Sequence, residues 1–252
     1  MKKIVLSFIA LFIMIPFVIR AEEVNNENEL ETVLSETTKY YKTITFNDSV
    51  CVAGLNNLCN NSVTYEVSKE EYDSAPQIEV RSVSDGLIET AYKKLTSTII
   101  QSGTRYKYKA NLNWKTIPST RSYDIMGIGF YGSVKIWDDD LFFEQNYTKN
   151  GSNYTTYSNY PQVFSNGGGC SFALPSGTLT ALSQQLYFYV EKNTTATIIQ
   201  QLAAADYAHA TSTISLNNSK KYTIGAAGIS HNGNSSYYDA MNTADAYWYG
   251  TW

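Results

Sequence analysis

Apolar and polar residues alternate along much of this chain. Between Thr104 and Thr116, "TRYKYKANLNWKT", Tyr106, Tyr108, Ala110, Leu112 and Trp114 fall on one phase of a two-residue period. Arg105, Lys107, Lys109, Asn111, Asn113 and Lys115 fall on the other. That period puts the two sets on opposite faces of a strand, one buried and one wet, whereas a helix would spread them around its circumference. The segment "SYDIMGIGFYGSVKIW" is apolar on both phases and predicts a strand covered on both sides. Gly127 and Gly129 on one of those phases leave room for facing aromatic rings, or mark a bulge.

Further strands are predicted along the rest of the chain. "LFFEQNYT" reads as a strand, closed by a turn in "KNGSN". "SQQLYFYVEKNTTATIIQQL" reads as a hairpin turning near Asn193, although Ile198, Ile199, Leu202 and Ala205 also suit one helical stripe. "TSTISL" and "KKYTIGAAGIS" return to strand character, and "YYKTITF" and "SVTYEV" supply two more candidates nearer the start. "SKEEYDSAP" carries a helix-start or turn signal ended by Pro76. Short strands punctuated by Gly, Asn and Pro predict an all-β, mainly antiparallel sandwich of jelly-roll or immunoglobulin-like type. The expected layout is a main domain over residues 86–252. Before it, 22–85 forms an acidic leader with an extension or small subdomain, and Val33 and Leu34 suit a short helix in the leader.

Residues 1–21 look different. Lys2 and Lys3 precede an apolar run from Ile4 to Ile19, and Ala21 offers a small residue for cleavage, which is the layout of a secretory signal peptide. The run is shorter than the roughly 20 residues a spanning helix needs, so the mature chain is expected to be secreted without a stable transmembrane segment. Of 19 basic residues the leader takes Lys2, Lys3 and Arg20, leaving 16 against 23 acidic ones, a balance of −7. That balance argues against nucleic acid as a partner, because neutralising phosphates needs a basic surface.

Three cysteines permit one internal disulfide and leave one thiol. Cys51 and Cys59 enclose the short loop "VAGLNNL" and form the candidate pair, which an oxidising destination permits. Cys170, in "SNGGGCSFALPSG", then reads as a small buried hydrophobe at the start of a strand, with Gly167–Gly169 as the turn before it and Phe172 and Leu174 also facing inward. A nucleophilic reading would need His209 or His231 beside it, and no protease signature surrounds it.

Other candidate chemistry is sparse. Asp138–Asp140 lack the ligand spacing of a calcium loop and read as a solvated turn, and no motif requires a metal or cofactor. Asp206 and His209 would share a face only on a helix. Asp124 and Glu144 are the carboxylates nearest to a glycosidase pair, with nothing to commit them. The aromatic residues are more informative. Tyr147, Tyr154, Tyr157 and Tyr160 lie among Asn, Gly, Ser and Thr in "NYTKNGSNYTTYSNYPQ", which reads as a loop too polar for ordinary core. Ring faces cover the apolar faces of sugars while neighbouring amides and hydroxyls fix orientation. A second group is Tyr237, Tyr238, Tyr247, Tyr249 and Trp252. The expected function is therefore a secreted, non-catalytic binding protein with a glycan or cell-surface polymer as partner. The alternatives are an exported hydrolase with an unassigned site and a membrane-active, pore-forming protein.

Overall fold

The computed structural model describes residues 31–51, 59–75, 87–158, 160–239 and 243–252, without side chains at 45–51, 59–63 and 87–90. The expected signal peptide, the leader up to residue 30, the loop 52–58 and Pro76 lie outside the described residues. The fold is all-β, and among the described residues every strand pair is antiparallel.

The larger sheet has eight strands. They are β1 (Glu31–Cys51), β2 (Cys59–Val67), β3 (Leu87–Ser102), β4 (Arg105–Trp114), β6 (Val134–Ile136), β7 (Phe142–Lys149), β8 (Ser152–Tyr157) and β11 (Leu179–Lys192). Their order is β2-β1-β3-β4-β11-β7-β8, with β6 also paired to β11. The smaller sheet has five strands: β5 (Tyr123–Gly129), β9 (Pro161–Phe164), β10 (Gly167–Ala173), β12 (Gln200–Ala208) and β15 (Ala244–Tyr249). Its order is β15-β12-β5-β10-β9. A hairpin of β13 (Tyr222–Gly225) and β14 (Gly228–His231) completes the set.

The two sheets share one core. Leu95, Tyr108 and Leu112 of the larger sheet pack in the same buried cluster as Met126, Ile128 and Phe172 of the smaller. Each such side chain contributes about 1.5–3 kcal/mol by leaving water. Hydrogen bonds cross the same interface, from Ser97 Oγ to the Ala203 carbonyl at 2.7 Å and from the Tyr108 hydroxyl to Gln201 Oε1 at 2.8 Å. Strand β4 obeys its sequence rhythm, with Tyr106 through Trp114 buried at every second position. The Asn150-Gly151 turn between β7 and β8 has both residues at positive φ, 52° and 76°, as a two-residue hairpin requires.

Several sequence expectations need correction. The segment 123–136 is two strands: β5 lies in the smaller sheet and β6 pairs with β11 in the larger. Likewise 179–192 and 200–208 form no hairpin, because β11 and β12 belong to different sheets and the chain crosses between layers after Lys192. Residues 200–208 are strand, not helix, and Val33 and Leu34 lie in β1. "TSTISL" is irregular and runs into a short helix, α2 (Leu216–Ser219), whose first turn Ser215 caps through Asn218 N. The helix start in "SKEEYDSAP" is α1 (Lys69–Ser74), capped by Ser68 accepting from Glu71 N at 3.1 Å. Strands β1 and β2 join the larger sheet through β3, and β1 reaches the smaller one where Thr37 Oγ1 donates to the Asp245 carbonyl at 2.7 Å.

The glycines carry the largest correction. Gly167–Gly169 are strand residues, and the turn lies at Ser165 and Asn166. Gly127 and Gly129 do not face aromatic rings. Together with Gly167 and Gly169 they form a floor on the outside of the smaller sheet, on which the β13–β14 hairpin sits. A Cβ at Gly127, Gly167 or Gly169 would come within 2.2–2.4 Å of the Ile224 side chain, and one at Gly129 within 1.8 Å of the Gly225 carbonyl oxygen.

Cys170 is fully buried in the core with Phe172 and Leu174. Burial pushes its thiol up to about 12, against smaller opposing effects of Ser158 and the Tyr160 backbone. Thiol reagents are expected to leave Cys170 untouched in the native protein and to label it only after denaturation. Rapid native labelling, read by intact mass, would contradict its place in the core.

Candidate functional site

Strand β7 has a side chain alternating to each face, and the inward phase ends in an open cleft. Phe143 and Phe172, 4.3 Å apart between ring centroids, stand at the closed end. Beyond them the smaller sheet stops, leaving a cleft of about 360 Å³ that Tyr123, Gln145, Tyr147, Tyr157 and Tyr160 line. Gln145 is buried and fixed: its Nε2 donates to Thr156 Oγ1 (3.3 Å) and the Ala173 carbonyl (3.1 Å), and its Oε1 accepts from Gln184 Nε2 (3.1 Å). Ser158 donates to the Ser171 carbonyl at 2.9 Å and accepts from Tyr160 N at 3.1 Å. The Lys220 ammonium sits 4.0 Å from the Tyr160 ring centre, a cation–π contact holding that ring in place.

The stretch expected as a loop is mostly strand, the end of β7 and all of β8, and the tyrosines singled out from it divide between the two faces of the sheet. Tyr147 and Tyr154 are cross-strand partners with rings stacked 5.2 Å apart at 14°, and Tyr154 is 46% exposed. Tyr160 lines the cleft. Tyr157 also borders the cleft but is paired with Glu144, on the outward phase, and its ring meets Phe142 edge-on at 5.8 Å. Sequence reasoning missed Gln145, Thr156 and Ser158, whose signal was their alternation with the tyrosines. The second aromatic group does not converge on one site. Tyr238 is buried and stacks on His231, and Trp252 packs on Tyr106, leaving Tyr237, Tyr247 and Tyr249 exposed.

The titratable candidates singled out from sequence do not all converge on one place. Asp206 accepts from the backbone N–H groups of Tyr207 and Ile229, both at 2.7 Å. Burial pushes its carboxyl up to about 6, and those two donors pull against the rise. His209 turns instead to Asp124, with Nδ1 2.9 Å from Oδ2, and the Tyr207 hydroxyl donates to the same oxygen. Cys170 Sγ contacts the Ser171 carbonyl, and neither histidine is among its polar neighbours. Asp124 is fully buried and Glu144 lies on the outward face of β7, so no cleft separates this pair. Among the described residues no group of three or more His, Cys, Asp or Glu suits a metal ion, Asp138–Asp140 included.

The least expected cluster is also buried. Lys93 and Asp239 form an ion pair at 2.5 Å with both side chains fully buried. Asp239 further accepts from Thr64 Oγ1 and from His209 N, each at 2.7 Å, and Thr64 bonds Thr43 at 2.6 Å. The Lys93 ammonium also lies over the Trp114 and Tyr207 rings, at 5.1 and 5.3 Å. This network ties β1, β2 and β3 to the end of β12, and with no solvent access it is a fastener.

The chain matches no protein-family model and no curated protein sequence. Among the described residues no helix is long and apolar enough to cross a membrane.

Proposed function

We propose that this chain is an exported, non-catalytic binding protein whose ligands are glycans, taken at the aromatic cleft beside the β7–β8 hairpin. The observation that carries the reading is the Tyr147 ring, which lines the cleft with Gln145, Thr156 and Ser158 and carries the half-exposed Tyr154 ring stacked on it. Flat rings cover apolar sugar faces, and amides and hydroxyls held by their own hydrogen bonds fix orientation with little further ordering. The burial of Asp124 and the isolation of Cys170 weigh against the hydrolase alternative. An exported destination also suits a disulfide between Cys51 and Cys59, whose backbones are direct partners at the end of β1 and β2.

The test is a glycan array probed with the mature protein and with Tyr154→Ala. Losing the ring's cover of a sugar face removes about 1.5–3 kcal/mol, a weakening of roughly ten- to a hundred-fold in Kd. Strong binding that survives Tyr154→Ala unchanged would reject this cleft.

A further inference from the structure

We infer that the outer face of the larger sheet carries a second, extended glycan-binding site, formed by transverse rows of hydroxyl and amide side chains. It shares the glycan ligand class with the reading above but uses the opposite face of β7. Strand register puts Thr38, Thr96, Asn111, Gln185, Glu144 and Tyr157 in one continuous row across six strands. Two residues along, and so on the same face, Lys94, Asn113, Ser183 and Asn146 form a second row. The rows line a shallow groove of about 300 Å³. At strand spacing, five intervals make the row about 24 Å long. That length suits an oligosaccharide lying across the strands better than a single sugar.

The choice of residues is the argument. Asn is disfavoured in strands, yet Asn111, Asn113 and Asn146 occupy interior positions of β4 and β7. Local preference is broken where function demands it. Packing does not require these groups either: among the described residues, the Asn111, Asn113, Ser183 and Gln185 side chains make no hydrogen bond within the protein. Other members of the rows are already oriented, with Thr38 and Thr96 hydroxyls 2.9 Å apart and Asn146 Nδ2 donating to Glu144 Oε1 at 3.1 Å. An amide both donates and accepts, as a sugar hydroxyl does. Glu36 and Glu144 face Lys94 in the groove, a near balance that suits an uncharged polymer. Aromatic shelves flank the rows, Tyr187 on Phe142 at 4.8 Å to one side and Tyr40 on Tyr72 at 4.9 Å to the other. A protein partner fits less well, since the groove lacks the apolar centre on which such interfaces depend. Strand addition is closed off too, because β3, β4, β11 and β7 are each paired on both sides.

The test titrates the mature chain calorimetrically with cello-, chito-, laminari- and manno-oligosaccharides of three and six units. At least one hexaose is expected to bind, more tightly than its trimer. Asn111→Ala and Gln185→Ala should each weaken that binding about two- to ten-fold, the worth of one hydrogen bond. The double variant should weaken it further, and Tyr154→Ala should leave it unchanged. Both substitutions lie on a solvent-facing surface, and an unaltered thermal melt confirms folding. Hexaose binding that persists in the double variant but is lost with Tyr154→Ala would overturn this site and leave the cleft reading intact. A natively folded wild type that binds none of the hexaoses would also overturn it; array binding abolished by Tyr154→Ala would then keep the cleft, and a blank array would remove both.

Discussion

Lys93→Met is expected to lower the unfolding free energy by about 3–5 kcal/mol, because it leaves the Asp239 carboxylate buried without its cation. Burial alone would raise that carboxyl; Lys93 and His209 outweigh it and hold it below the ordinary aspartate value. The stabilisation is thus present above the unfolded pKa and is lost as the pH falls through the lower, folded one. Wild type and Lys93→Met should therefore converge in acid. Replacing both partners, as Lys93→Met with Asp239→Leu, should cost much less than the sum of the single changes. Urea titrations at neutral and acidic pH measure all of this. A loss below about 1 kcal/mol for Lys93→Met at neutral pH would mean that water reaches the pair.

Gly129→Ala is expected to be the next most damaging small change. Its methyl group would lie 1.8 Å from the Gly225 carbonyl oxygen, which is backbone and cannot swing aside. The β13–β14 hairpin would have to lift from the sheet, at about 1–3 kcal/mol or more for an overpacked contact. Gly225→Ala is the control on the other side of the same contact, since a Cβ there meets nothing within 4 Å. Equal melting temperatures for the two variants would show that the hairpin is not seated on the glycine floor. Hydrogen exchange at Ile224 and Ile229 should rise in Gly129→Ala alone.

Much of the architecture was legible because β4 keeps strict alternation and the Asn150-Gly151 turn requires the backbone that these two residues supply. The pairing of strands was not legible. β11 and β12 are adjacent in sequence with strand-like composition throughout, and nothing in those residues says that the chain changes sheet between them. The run Gly167–Gly169 suits a turn by sequence alone, because a glycine's use in a strand depends on what lies above it, here Ile224 from more than 50 residues away. The candidate site was half legible. The tyrosines stand out by composition, but assigning them to faces needed 152–157 to be a strand rather than a loop, which puts Tyr154 and Tyr157 on opposite sides. Lys93 stands on the core phase of Ala91, Leu95 and Ile99, so an out-of-phase charge was visible. Its partner, 146 residues away, was not.

That separation bears on the order in which the molecule is completed. A nascent chain ending before residue 239 holds a lysine in the middle of its strands without its ion-pair partner, and Thr37 still lacks the carbonyl of Asp245. Such long-range closure makes for slow, late folding. The layer that holds Lys93 is therefore expected to close only once the segment carrying Asp239 and Asp245 has joined it.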